Sequence, residues 1–192
     1  MTEEMMKPHE IANQLYDAAT PIIRINSLTS RKWRRNDQKQ YPRTGPWHAA
    51  NYDVLDRDAW LRKHACIYFV GGDDGLMRYT GISRNGIKDR WREAPAVDPE
   101  TGKKLPKNEL HHSQCWPHIE REYQNKPGCV FEVRTMAGAK LASVLKQLGP
   151  PLSGLLVLDN DHEGLVSAVE RWICNNQLVT WNSAMTKIRN IT

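Results

Sequence analysis

The sequence predicts an α+β fold: a small, mainly antiparallel, three-stranded central sheet flanked by helices, with an N-terminal extension and inserted loops. Three observations carry this. Two apolar runs rich in β-branched and aromatic residues, 66–72 (CIYFVGG) and 76–83 (LMRYTGIS), flank a Gly/Asp turn and read as a β-hairpin. Residues 139–149 (AKLASVLKQLG) and 162–176 (HEGLVSAVERWICNN) carry helical periodicity, the second with Leu165, Val166, Val169 and Ile173 on one stripe. Strand and helix signals alternate irregularly along the chain, the pattern of helices packed on an antiparallel sheet.

Taken in order, residues 8–19 predict a short helix, and Pro21 opens an extended stretch. Residues 29–48 (TSRKWRRNDQKQYPRTGPWH) are basic, polar and broken by prolines, so they read as a loop or arm. Residues 53–64 predict a helix. After the hairpin, Ser83 or Asn85 is positioned to cap a helix over GIKDRWREA, which Pro95 stops. Residues 95–108 read as a polar loop, and 118–125 (HIEREYQN) as a helix. Two segments compete for the third strand, VFEVRTM and LLVLD. We favour LLVLD, because it leads directly into the 162–176 helix, which leaves VFEVRTM as an added edge strand. Asp161 is the expected N-cap of that helix.

Charge is uneven. The net charge is +5, yet seven basic residues (Arg24, Arg31, Lys32, Arg34, Arg35, Lys39, Arg43) and only Asp37 lie between positions 24 and 43, leaving the rest of the chain near neutral. Such a tract suits a polyanion, and equally a solvated arm. No apolar run approaches the ~20 residues needed to cross a bilayer, and the acidic start MTEEMMKPHE lacks the apolar core of a secretory leader. The expectation is a cytoplasmic chain with no membrane partner, whose four widely spaced cysteines are reduced. Seven Trp against two Phe fit a core, an interface or base stacking alike.

Several residues carry chemistry. Cys66-Ile67-Tyr68 is followed eleven residues later by Tyr79-Thr80-Gly81, then by Arg90 in KDRWRE, Glu170 in LVSAVERWI and Asn182 in TWNS. This ordered set, over about residues 64–184, resembles the GIY-YIG nucleases. Cys66 replaces the family's first glycine and Thr80 its second isoleucine; neither position carries a catalytic side chain there. The resemblance implies a metal-dependent endonuclease in which Tyr68, Tyr79, Arg90 and Glu170 are catalytic and Glu170 holds Mg²⁺ or another divalent cation. His112, or adjacent His111, would fill the family's downstream histidine.

The chemistry agrees with those residue types. Phosphodiester hydrolysis needs an activated water, for which Tyr68 is the candidate if nearby cations favour its phenolate. An arginine fork at Arg90 would stabilise phosphoryl charge, and a lone carboxylate at Glu170 suits one Mg²⁺ that keeps waters. Only ten residues follow Asn182, so binding to double-stranded DNA falls to the N-terminal 62 residues (a basic extension preceding the 63–192 nuclease-like domain) and the inserted loops. Arg31, Lys32, Arg34 and Arg35 are the expected grip, joined by Arg78 and Asn182. Cutting both strands of a palindrome, as a restriction enzyme does, favours a homodimer. Two other readings remain: a non-catalytic nucleic-acid-binding module on the same fold, and a zinc-stabilised interaction protein built on His111, His112, Cys115 and His118.

Overall fold

Residue alternation builds one large antiparallel sheet, and a computed structural model describes residues 6–36, 45–158 and 160–182 of it and its surroundings. Its strands are β1 (Thr20–Arg35), β2 (Trp47–Val54), β3 (Cys66–Gly72), β4 (Met77–Ser83), β6 (Ala96–Val97) and β8 (Phe131–Ala137), six in all. They run in the order β2-β1-β8-β3-β4, with β6 added to the far end of β1, and every pairing is antiparallel. Two short strands, β5 (Arg92–Ala94) and β7 (Glu109–His111), form a separate ribbon. The helices are α1 (Pro8–Ala18), α2 (Arg57–Leu61), α3 (Trp116–Asn125), α4 (Gly138–Leu148) and α5 (His162–Asn175). Among the described residues no helix is long and apolar enough to cross a membrane.

The α+β class and the antiparallel sheet agree with the sequence, but the sheet has six strands rather than three. Residues 29–35 are not a loop. They complete the 16-residue β1, because Trp33 is buried between outward neighbours and meets Trp47 across the strand pair. The cations flanking Trp33 conceal that period of two in the sequence. Lys39 and Arg43 lie outside the described residues.

The third-strand expectation is also corrected. VFEVRTM is the interior strand β8, hydrogen-bonded to β1 on one side and β3 on the other. LLVLD instead belongs to a 3-10 helix, Leu152–Leu158, with its last residue, Asp159, outside the description. Three residues per turn let Leu152, Leu155 and Leu158 pack inward and leave Val157 88% exposed, which no buried strand would do. GIKDRWREA is likewise no helix. Its first residues make a single 3-10 turn, Ile87–Asp89, and Arg92–Ala94 then pairs with β7. The Trp91 carbonyl accepts the Trp60 indole N–H (2.6 Å) instead of a helical amide. The 53–64 helix shrinks to α2 because residues up to Val54 extend β2. Asp161 caps α5 as expected, accepting from the Gly164 amide at 2.9 Å.

Alternation along β3 divides the interior in two. Ile67 and Phe69 face a helical layer of α1, α4 and α5, whereas Tyr68 and Val70 face a second core. Six of the seven tryptophans (33, 47, 60, 91, 116 and 181) belong to that second core, so their number reflects packing. All four cysteines are buried free thiols.

Candidate active site

Tyr68 and Tyr79 lie on neighbouring strands with ring centroids 6.0 Å apart. Gly81 is the cross-strand partner of Tyr68, and a Cβ there would run into the Tyr68 hydroxyl. The glycine makes the notch in which that phenol lies. Opposite the hairpin, the β5–β7 ribbon leads into His112, and α5 brings Glu170 to the same space. After Val179, the chain returns along the open edge of β4: the Trp181 amide donates to the Arg78 carbonyl at 2.9 Å. Tyr68, Tyr79, Arg90, His112, Glu170 and Asn182 thus line one cavity of about 650 Å³.

The hydrogen bonds fix proton positions. His112 Nδ1 accepts from the backbone amides of Cys115 (3.1 Å) and Gln114 (3.3 Å). The ring is buried, which pushes its pKa down to about 3 with help from His111 and Arg90, so it is neutral near pH 7. A neutral ring accepting at Nδ1 carries its proton on Nε2. That N–H therefore donates to the Tyr68 hydroxyl oxygen, 2.9 Å away. Tyr79 donates its own hydroxyl to Gln114 Oε1 at 2.9 Å. Burial raises both phenols, Tyr68 well above its ordinary value, with Arg90 opposing in each case.

Glu170 is the negative counterpart. Burial lifts its carboxyl to about 7, opposed by Arg90 and Arg171. Among the described residues it takes part in no salt bridge. Its oxygens are the hard donor type that Mg²⁺ takes, and Asp89 is a second carboxylate lining the same cavity. Among the described residues Arg90 is anchored through Nε alone, to the Ile82 carbonyl at 3.1 Å, and its exposed side chain lines the cavity.

Other predicted residues have different work. Arg78 points away from Tyr79 and is held by Asp74 (2.6 Å) and Glu122 (3.0 Å), so it is committed to an ion-pair network. Asn182 brackets Thr80, accepting from its amide (3.1 Å) and donating to its carbonyl (2.7 Å), which braces the edge strand β4 beside Tyr79. Arg31 pairs with the buried carboxylate of Glu109. The histidines all line the cavity but take separate partners: His118 stacks on Trp181 (5.5 Å), His111 packs against Trp47 (5.0 Å), and His112 serves Tyr68. Among the described residues no three His, Cys, Asp or Glu side chains come together to hold a metal ion. Gln114 and Arg92 also line the cavity. Neither belongs to a recognisable motif; they arrive through the turn after β7 and through the β5 pairing.

Holding His112 neutral has a pH signature. The unfolded chain takes up a proton on this ring below about pH 6.5, whereas the folded chain does so only near pH 3. Stability therefore falls as pH drops through that window. Glu170 acts in the opposite sense between its ordinary value and about 7, so the comparison needs a variant that retains it. Between pH 6.5 and 4.5 the wild type should lose roughly 2–3 kcal/mol more than His112→Phe, measured by urea unfolding at both pH values. Parallel losses in the two proteins would refute a buried neutral ring.

No protein-family model, no curated protein and no solved structure matches the chain.

Proposed function

We propose that the protein is a metal-dependent DNA endonuclease of the kind the GIY-YIG nucleases represent. One observation carries this reading. Five side chains spread over a hundred residues of sequence line a single cavity, and His112 aims its N–H at Tyr68. A structural core would not gather two phenols, a free guanidinium fork and a desolvated carboxylate around open space.

In this reading Glu170 holds one divalent cation, with Mg²⁺ the first candidate. The cation, when bound, polarises a phosphoryl oxygen and adds positive charge beside the phenols. Arg90 binds a second phosphoryl oxygen through its remaining donors and stabilises the charge that builds in the transition state. Tyr68, with the His112 N–H on its oxygen, receives the proton of the attacking water as phenolate. Burial opposes that phenolate, and the cationic surroundings and the histidine donor favour it. His112 donates its N–H to Tyr68, so it acts through that residue. Tyr79, fixed by Gln114, forms the neighbouring wall.

Double-stranded DNA is the substrate we favour, cut at specific sites by two copies of the chain. Purified protein incubated with plasmid and phage DNA in Mg²⁺ tests this. Discrete fragments are the expected result, a smear would mean an unspecific nuclease, and absence of nicking after long incubation would overturn the enzyme reading.

A further inference from the structure

The basic tract divides by strand geometry. Trp33 is buried, so its neighbours Lys32 and Arg34 face outward from β1. Across the sheet, Arg34 pairs with Val97 of β6, and Val97 forms a bridge with Lys104. Directly opposed residues share a face, so Lys32, Arg34 and Lys104 lie on one face, with Val97 buried between the last two. Lys32 and Lys104 are exposed and Arg34 is half-buried. None of the three forms a salt bridge among the described residues.

Among the described residues the nearby acids are engaged elsewhere. Asp98, in the turn after β6, accepts with its carboxylate from the Thr101 amide (2.7 Å) and hydroxyl (2.9 Å). Glu109 is buried against Arg31, which lies on the Trp33 side. Glu93 is engaged by the Tyr52 hydroxyl at 2.8 Å. The ribbon also leads to the cavity. Pro95 alone separates β6 from β5, and Arg92 at the start of β5 lines the cavity opposite His111.

We propose that Lys32, Arg34 and Lys104 form a clamp for the phosphate backbone of duplex DNA, joined to the cavity by the 92–111 ribbon. The spacing agrees. Residues two apart on a strand are about 6.7 Å apart, a spacing that long Lys and Arg side chains can match to successive phosphates of one DNA strand. Arg34 and Lys104, two strands apart, stand roughly 9.6 Å from each other. The inference rests on the endonuclease reading for the identity of the polyanion. It also reassigns Arg31 from DNA contact to brace.

The test measures affinity for a labelled mixed-sequence duplex across a salt series without divalent cation. The triple variant Lys32→Gln/Arg34→Gln/Lys104→Gln should bind at least tenfold more weakly, and its log–log salt slope should be shallower by about 2.7, at 0.9 per lost phosphate contact. Lys7→Gln/Lys140→Gln on the helical side should keep both. Arg31→Gln should lower the unfolding midpoint and keep the slope. A triple variant with the wild-type slope overturns the clamp, as does a wild type without salt-dependent binding. The two readings separate cleanly. If the wild type cuts DNA and the triple variant keeps its slope, the clamp fails alone. If the triple variant loses affinity and the wild type never nicks DNA, only the endonuclease reading fails.

Discussion

Glu170→Gln should abolish Mg²⁺-dependent cleavage, lowering the rate by at least about a thousandfold, while duplex binding stays within about twofold of wild type. The size follows from what the side chain does. A metal ion at a phosphoryl group supplies several kcal/mol of transition-state stabilisation, and each 1.36 kcal/mol is a factor of ten in rate. Glutamine keeps the volume and one oxygen but loses the charge that would hold the cation. Folding should not suffer, because the burial that lifts the carboxyl to about 7 opposes only the charged form. Binding should persist because Glu170 is negative and repels phosphate when no cation is present. Cleavage of supercoiled plasmid and anisotropy on the same protein read the two quantities. A glutamine variant that cuts at the wild-type rate would remove Glu170 from the site and point to Asp89, which also lines the cavity, as the metal-binding carboxylate.

Local signals and long-range pairings were not equally legible in the sequence. The hairpin, α4 and α5 announce themselves, because a Gly/Asp turn and a 3.6-residue stripe are decided within a dozen residues. Tyr68 and Tyr79 could be put on one face by strand alternation alone. The reach of β1 could not, since Trp33 is buried by partners that arrive from Trp47, Trp116 and His111, all distant in sequence. LLVLD illustrates the same limit, because an apolar run fits a buried strand or a 3-10 turn equally well until the packing of Val157 decides. The basic residues were visible as a cluster, but which of them meets a carboxylate depends on Glu109, seventy-eight positions from Arg31, and on Glu132, 108 positions from Arg24. His112 is a middle case. Its residue type pointed to acid–base chemistry, whereas its tautomer follows from the backbone amides of Gln114 and Cys115.

That tautomer gives the second large effect. Tyr68→Phe should slow cleavage by about 10²–10⁴-fold, the usual contribution of a positioned acid–base group, and leave duplex affinity unchanged. Phenylalanine keeps the ring in the Gly81 notch, so the cavity shape survives. What disappears is the oxygen to which the His112 N–H donates at 2.9 Å. Leaving that buried donor unpaired should destabilise the fold by about 1–3 kcal/mol, visible in urea unfolding and too small to explain the lost rate if the variant remains folded. Tyr79→Phe provides the contrast. Its hydroxyl donates to Gln114 rather than receiving a histidine proton, so its loss should cost less than a tenth of the effect at Tyr68. His112→Phe should resemble Tyr68→Phe in rate, because the histidine acts only through that phenol. The double variant should then be little slower than either single one, as expected for residues that work as a unit. Full additivity would mean that His112 reaches the substrate independently, and a Tyr68→Phe rate within tenfold of wild type would mean that the water is activated elsewhere in the cavity.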